Sequence, residues 1–271
     1  MALDVTLPQR ADRRRGWLRS EGRTIGALLL RALRLKFRES RLSYVLAVAE
    51  PCLQFGVLFV LFSIIGRHPG FGDSLVLFLA SGIIPFFLFT HLSGRIANSL
   101  RAAQPMSPLR VVSSLNLAAA QAILEFVTII IFMVIVLSLL AILGVHGAIP
   151  ADPIELVCGV VAVGLFAFGV GLINSALYAL FRIWTLIYGV ASRSLIFISG
   201  VFYAPELYLP PAYRDILVWN PVLHGLSWFR TAIYPTYPQN MLDRGYLLAC
   251  ALAAIAAGVV LDRVIGRVVR R

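Results

Sequence analysis

Long apolar stretches separated by short charged ones constrain this chain more than any other feature of its sequence. Apolar residues make up 59% of the 271 positions and charged residues 14%, whereas soluble domains carry roughly 45–50% and about 25%. Because a bilayer core about 30 Å thick needs roughly 20 helical residues, the pattern predicts an all-α integral membrane protein with six transmembrane helices. The predicted spans are 43–66, 74–94, 115–143, 154–181, 184–203 and 245–262.

The placement of the basic residues predicts the orientation of these spans. Eleven of the 24 lysines and arginines lie in residues 1–42, and four more close the chain. Segment 95–114 holds three basic residues and segment 182–183 holds one. The short loops 67–73 and 144–153 hold a single basic residue between them. Since basic residues accumulate on the cytoplasmic side, both termini are expected in the cytoplasm. The net charge of +11 is explained by topology and does not indicate a nucleic-acid partner.

The residues before the first span have an amphipathic pattern. On a helical wheel of about 100° per residue, arginines share one arc and apolar side chains the opposite side, with Lys36 as the exception. The arc contains Arg23, Arg31, Arg34, Arg38 and Arg41, and the opposite side contains Ile25, Leu28, Leu29, Leu33 and Phe37. This predicts a helix lying in the headgroup layer among membrane lipids; an ordinary basic flank is the alternative.

Residues 204–244, here called the outer segment, are too apolar for a free loop and too rich in proline for one straight span. The prolines are Pro205, Pro210, Pro211, Pro221, Pro235 and Pro238. Irregular backbone at membrane depth is tolerated only where protein or water buries it, so short re-entrant helices are expected between spans 5 and 6. An aromatic belt at the outer interface is the alternative. The chain is thus expected to form a single transmembrane domain, residues 1–271.

That domain divides into four predicted parts. Residues 1–42 form a cytoplasmic tail and interface helix, 43–203 contain spans 1–5, 204–244 form the outer segment, and 245–271 contain span 6 and a second tail.

Charged residues inside spans are expensive unless they are paired or hydrated, so each one indicates a functional site. Glu125 in the third span and Arg193 in the fifth both lie about 15 Å from the cytoplasmic side at 1.5 Å per residue. An ion pair between them is expected, either as a structural pair or as part of a channel lining. Glu50 either reaches the inner interface or lines an entry site, and Asn174 is expected to hydrogen-bond a neighbouring helix.

The sequence lacks the motifs that would indicate nucleotide binding, metal binding or nucleophilic catalysis. A P-loop requires Gly-Lys-Ser/Thr, but the only lysine, Lys36, follows Leu35. The four histidines have no metal-binding spacing, and no G-x-S-x-G elbow occurs. Cys52, Cys158 and Cys250 lie far apart in apolar segments. We therefore expect no catalytic residue, no metal site and no cofactor in this chain.

The order of these features resembles the membrane subunit of type-2 ABC exporters. The segment APELYLPPAYRDILVWNPVLHGLSWFR, residues 204–230, is similar to the outer gate of that family. SLRAAQPMSPLRVV, residues 99–112, is similar to the loop that docks on an ATPase subunit. FRIW at 181–184 and RSLIFISGVFY at 193–203 most resemble the branch that exports capsular polysaccharide.

The resemblance implies a permease of the bacterial inner membrane that has no ATPase site of its own. It further implies a homodimer enclosing a channel, a cytoplasmic ATPase dimer that binds ATP and Mg, and a periplasmic co-polymerase or adaptor for a lipid-linked polysaccharide. The alternatives are a permease for another lipid-linked glycan, a lipid or a drug, a polytopic membrane enzyme, and a purely structural anchor.

Three sets of site residues are predicted on this basis. Aromatic rings suit the C–H faces of sugars, and arginines offer counter-charge to an acidic polymer, although ordinary packing is the alternative for each aromatic side chain. The predicted channel residues are Phe86, Phe87, Glu125, Tyr188, Arg193, Tyr203 and Arg230. The predicted outer-gate residues are Tyr208, Tyr213, Trp219, Asn220, Pro221 and Trp228. The predicted ATPase-coupling residues are Arg101, Gln104, Pro105, Ser107, Pro108, Leu109 and Arg110.

Overall fold

The structure, a computed structural model, describes residues 26–30, 43–103 and 113–269. Residues 26–30 are helical, and every regular element in the two longer ranges is also a helix. These helices are α1 (Ser43–Ile64), α2 (Leu75–Ile96), α3 (Ser99–Ala103), α4 (Ser114–Ile142), α5 (Pro153–Leu180), α6 (Trp184–Ile198), α7 (Pro205–Tyr208), α8 (Pro211–Leu217), α9 (Pro221–Ile233) and α10 (Arg244–Val269). The prediction of an all-α membrane protein is confirmed.

Five of the described helices are long and apolar enough to cross a membrane. Their apolar stretches are Val45–Ile64, Leu75–Ala102, Ser114–Ile142, Pro153–Leu180 and Arg244–Ile265. The sequence placed these five spans to within a few residues, with two exceptions. The second apolar stretch continues to Ala102, past the predicted end at residue 94, and α10 continues to Val269, past the predicted end at residue 262.

The fifth predicted span is shorter than expected. Helix α6 has 15 residues and ends at Ile198, whereas the sequence predicted a span as far as residue 203. Gly200 follows with a φ of 73°, a left-handed conformation that glycine adopts without a steric penalty. The chain therefore turns sharply after α6, and residues 199–203 connect it to the outer segment.

Capping side chains set where several helices begin. Each accepts a hydrogen bond from a backbone N–H in the first turn, a group that has no partner within the helix. The caps of α2, α4, α5 and α9 are Ser74, Ser113, Asp152 and Asn220. Pro153 and Pro221 follow directly at the first helical position, where a missing N–H does no harm.

Helix α2 lies at the centre of the molecule and is the most buried of the long helices. Helices α4 and α5 pack on it, α10 packs along α5, and α9 lies against α2 and α5. Helices α1 and α6 lie at the periphery, and α6 has no fully buried side chain among its described residues. The two peripheral helices therefore leave most of their surface free for lipid or for a second protein chain.

Two predicted features fall largely outside the described residues. Only residues 26–30 of the amphipathic interface helix are described; there Leu28, predicted on the apolar side, is buried. The coupling residues Gln104, Pro105, Ser107, Pro108, Leu109 and Arg110 lie outside the described ranges altogether.

Candidate functional site

The outer segment contains the three short helices α7, α8 and α9, as the density of prolines predicted. Pro205, Pro211 and Pro221 each occupy the first position of one of them. Proline cannot continue a helix from the preceding turn but suits the start of a new one. The prolines thus divide a strongly apolar segment into short helices that can reverse direction.

Arg230 on α9 is almost completely buried, with 1% of its surface exposed. Its guanidinium donates hydrogen bonds to the carbonyl oxygens of Val201 at 2.9 Å and Tyr203 at 3.2 Å. It also donates to the Tyr237 hydroxyl at 3.3 Å, and its central carbon lies 4.5 Å from the ring centre of Phe78. Carbonyl dipoles and an aromatic face both stabilise a buried cation. Arg230 therefore fastens the α6–α7 connector to α9 and α2.

Glu206 at the start of α7 is also buried, with 3% of its surface exposed. The Tyr237 hydroxyl links its carboxylate to Arg230. Glu206 accepts hydrogen bonds from the Tyr237 hydroxyl at 2.6 Å and from the Ser227 hydroxyl. Burial raises the pKa of Tyr237 above its ordinary value, Arg230 lowers it in part, and Glu206 raises it further. The phenol therefore keeps its proton and links Arg230 to Glu206. We call Arg230, Tyr237, Glu206 and Ser227 the outer network.

Gly82 on α2 makes room for this network. A Cβ atom at this position would lie 2.5 Å from the Val201 carbonyl oxygen and 2.9 Å from Arg230 Nη2. Such distances are shorter than van der Waals contact, so a side chain here would push the connector or the guanidinium away. The close approach of α2 to the outer segment therefore depends on glycine.

The predicted outer-gate residues divide into an exposed and a packed group. Tyr208, Tyr213 and Trp219 are exposed, and Trp219 most of all at 77%. Asn220 caps α9 and donates its side-chain amide to the Ser199 hydroxyl at 2.9 Å. Pro221 starts α9 and is half-buried. The first three alone are free to meet a partner or a cargo in this structure.

Trp228, the sixth predicted gate residue, is buried in a cluster where α5, α9 and α10 meet. Its indole N–H donates to the Glu155 carboxylate in the first turn of α5. Arg244 at the start of α10 lies 3.4 Å from the same carboxylate and 5.5 Å from the Trp228 ring. Trp228 therefore joins α9 to the ends of two long helices.

The predicted channel residues also lie in different environments. Phe86, Phe87, Glu125 and Arg230 are buried inside the chain, while Arg193 is exposed and Tyr203 is half-buried. Tyr188 shares a 2.6 Å hydrogen bond with Ser93 of α2. A channel role for the four buried residues would require the chain to rearrange, and the channel assignment stays a prediction for the whole set.

Glu125 is buried, as expected for a functional or structural acid, but the predicted partner is wrong within the single chain. Among the described residues, its carboxylate oxygens lie 3.6 Å from His91 Nδ1 and 3.6 Å from Arg95 Nε, both on α2. Arg95 Nη2 also lies 3.9 Å from Glu50 of α1. Arg193 takes no part in these ion contacts, because it lies on the exposed surface of α6. The acid thus joins α4 to α2, and Arg95 in turn links α2 to α1.

The partners of Glu125 had a detectable signal in the sequence. His91 and Arg95 are four residues apart, so they lie on one face of α2. To predict that Glu125 meets this face of α2, one must know how each helix is rotated about its own axis. The hydropathy of the spans is nearly uniform around that axis, so the sequence does not reveal the rotation. Glu206 and Tyr237 were missed for a different reason, because the outer segment has no single period from which to infer neighbours.

Two other residues singled out in the sequence, Asn174 and Arg101, make described contacts with neighbouring helices. Asn174 of α5 accepts a 2.9 Å hydrogen bond from the Trp184 indole of α6, which confirms an interhelical bond. Arg101 on α3 donates to the carbonyl oxygen of Tyr178 on α5 and lies over that residue's ring at 5.4 Å. In this structure Arg101 therefore anchors the start of residues 99–112, the segment similar to the ATPase-docking loop, which we call the inner loop.

Comparison with known proteins assigns the chain to a family. The family model described as ABC-2 type transporter matches residues 23–234. The polysialic acid transport protein KpsM of Escherichia coli is 28% identical over 240 residues, covering 89% of this chain and 92% of that protein. The capsule polysaccharide export inner-membrane protein BexB of Haemophilus influenzae is 25% identical over 241 residues, covering 89% and 90%.

The capsule polysaccharide export inner-membrane protein CtrC of Neisseria meningitidis serogroup B is 22% identical over 237 residues, covering 88% of this chain and 89% of that protein. The similarity to all three relatives thus extends along nearly the full length of both chains. Because the family match covers well over half of the sequence, the predicted resemblance is confirmed, and this chain belongs to the ABC-2 type transporter family.

Proposed function

We propose that this chain is the permease subunit of an ATP-driven exporter that moves a lipid-linked capsular polysaccharide across the bacterial inner membrane. One observation carries the proposal: relatives named for polysialic acid transport and capsule polysaccharide export match nearly the whole chain. A match of this extent includes the outer segment and the inner loop, where a cargo and an ATPase would act. Both termini are cytoplasmic in this proposal.

A separate cytoplasmic ATPase dimer binds ATP and Mg and supplies the energy. The only lysine of the chain is Lys36, outside any P-loop, so nucleotide binding belongs to a partner. Residues 104–110, together with Arg101, form the docking loop in this proposal. The arginines of the loop suit an acidic groove on the ATPase.

Two copies of the chain enclose the channel. Arg193 lies exposed on α6, with exposed Ser194 beside it, on a helix whose described side chains are all at least partly accessible. A charged group at this depth is costly against lipid and tolerable against water or a partner chain. The exposed surface of α6 is therefore the proposed channel wall, and α1 is exposed enough to join the seam between copies.

The exposed gate residues provide the contact for the sugar chain and for a periplasmic adaptor. Tyr208, Tyr213 and Trp219 present rings at the outer surface. Aromatic faces stack on the C–H faces of sugars without removing water from the hydroxyl groups. This suits a polymer that must slide rather than bind tightly.

The experiment is to locate the polysaccharide in cells that lack only this gene, beside cells complemented with the wild-type chain. A strain with the partner ATPase inactivated is the matched control, because it blocks the same step through another subunit. We expect full-length, lipid-linked polymer inside the inner membrane in both strains. Polymer missing from every compartment would indicate a synthetic enzyme, and normal surface polymer would indicate a different cargo.

A further inference from the structure

Both ends of the inner loop are fastened to helices that also hold the outer segment. We propose that α5 and α10 act as one rigid pair that transmits movement from the inner loop to α9. The inference rests on the proposed function in one respect: the inner loop is taken as the element on which the ATPase docks. It describes how movement passes from that loop to α9, and it does not depend on which cargo is exported.

Helices α5 and α10 approach each other more closely than side chains would allow. A Cβ at Gly169 of α5 would lie 2.6 Å from the backbone nitrogen of Ile255, and one at Gly258 of α10 would lie 2.5 Å from Leu172 Cβ. Two glycines, one from each helix, thus bring the backbones into contact. Small residues at such crossings give the tightest packing available to helices in a membrane.

The start of the inner loop is anchored to the inner end of α5. The Leu100 N–H donates to Ser175 Oγ at 2.9 Å, and Ser99 shares a 3.0 Å hydrogen bond with the same hydroxyl. Arg101 adds its bond to the Tyr178 carbonyl oxygen. Ser99, Leu100 and Ser175 are all buried, so these bonds do not compete with water.

The end of the inner loop is anchored to α10. Ser114, the first residue of α4, donates a 2.8 Å hydrogen bond to the Asp262 carboxylate near the inner end of α10. Both side chains are buried. A displacement of the loop therefore acts on α5 at one end and on α10 at the other, and these two helices are already locked together.

At the outer end the same pair holds α9. Trp228 packs on Gly159 of α5, where a Cβ would lie 3.3 Å from the indole ring. Its N–H donates to Glu155, which Arg244 of α10 also contacts. The backbone N–H of Asp152 donates to the Ala232 carbonyl oxygen at 3.0 Å. Helix α9 is thereby attached to the beginnings of both α5 and α10.

The helices between these anchors suit transmission. From Glu155 to Ser175 the axis rises about 30 Å at 1.5 Å per residue, and within α5 the only proline is Pro153 at the first position. Helices α1 and α2, by contrast, contain Pro51 and Pro85 in their interiors. Interior prolines are a common site of helix kinks, and α5 and α10 have none beyond the first position of α5. Helix α9 in turn carries Arg230 and the outer network.

The test measures how the outer segment responds to nucleotide in the assembled exporter. Cys52, Cys158 and Cys250 are replaced by serine, and Asp215→Cys, at an exposed position of α8 outside the predicted gate residues, serves as the reporter for a membrane-impermeant maleimide. In this parent, ATP should change the labelling rate by roughly fivefold or more, the range of typical couplings between sites. Trp228→Phe, which keeps an aromatic ring but removes the indole N–H, and the isosteric Asp262→Asn should each abolish most of that change while ATP hydrolysis continues.

The controls alter exposed side chains on the same two helices. Val157→Ala on α5 and Leu252→Ala on α10 should keep the full response, since both residues face away from the protein. A full response in both Trp228→Phe and Asp262→Asn, or no response to ATP in the parent, would overturn the inference. A parent that responds to ATP but exports no polysaccharide would support the path and contradict the proposed cargo.

Discussion

Arg230 holds a positive charge in a part of the molecule where water does not reach it. An unpaired charge there would be strongly destabilising, but two carbonyl oxygens, one hydroxyl and one aromatic face surround the guanidinium. Its neighbour Gly82 is needed for the same reason, because only a residue without a side chain lets the Val201 carbonyl oxygen approach α2. A single residue thus decides whether the outer segment can dock on the helix bundle.

We predict that Gly82→Ala destabilises the protein and that Gly94→Ala on the same helix does not. A Cβ at Gly82 collides with backbone and guanidinium, whereas a Cβ at Gly94 meets no atom of the described chain within 4 Å. Overpacking of this kind costs about 1–3 kcal/mol. Unfolding temperature in detergent measures the difference, and equal values for the two variants would contradict the close packing described here.

Helix α6 is only loosely attached to the bundle. Its 15 residues span about 22 Å, and none of its described side chains is fully buried, although Leu195 and Ile196 pack partly against the core. Two polar bonds add to this packing: Trp184 to Asn174 near the start of α6 and Tyr188 to Ser93 one turn later. A helix with few buried apolar contacts opens more readily than the core around it.

We predict that Tyr188→Phe increases amide hydrogen exchange in α6 severalfold and leaves exchange in α2 unchanged. The substitution keeps the ring and removes only the hydroxyl that bonds Ser93. Thr185→Val is the matched control, because it removes an exposed hydroxyl from the same helix. If both variants exchange at the wild-type rate, packing rather than hydrogen bonding holds α6 in place.

The path of the whole chain favours a sixth crossing of the membrane. Glu155 at the start of α5 contacts Arg244 at the start of α10, so both helices begin on the same side. The chain must therefore return between them, and α6 is the helix that leads from the inner end of α5 to the outer segment. Without this crossing the two arginine-rich ends of the chain would lie on opposite sides, against the positive-inside rule.

We predict that residues on either side of α6 are accessible from opposite faces of the membrane. In a chain without its native cysteines, Tyr208→Cys should react with an impermeant maleimide in intact spheroplasts. Arg182→Cys should react only after the membrane is permeabilised. Reaction of both positions in intact spheroplasts would refute the sixth crossing and the cytoplasmic location of both termini.

Features that depend on local physical effects were predictable from the sequence, whereas contacts between distant segments were not. The length of an apolar run and the position of a proline are local, so the five long helices were placed near their bounds and short helices were expected in the outer segment. The end of α6 was placed five residues too late, because apolar residues continue through Phe202 while the backbone already turns at Gly200. The side-chain partners of Glu125 and Arg230 depend on distant segments and were not found.

The sequence by itself determined the solvent of this protein and the positions of its five long helices, because lipid demands continuous apolar helices. Only the tertiary structure decided which embedded polar groups meet. The long helices α1, α2, α4 and α5 differ little in hydropathy from one face to another, so their rotation and contacts come from close packing, as at Gly82, Gly169 and Gly258. That packing buries Arg230 inside the chain and leaves Arg193 on its surface.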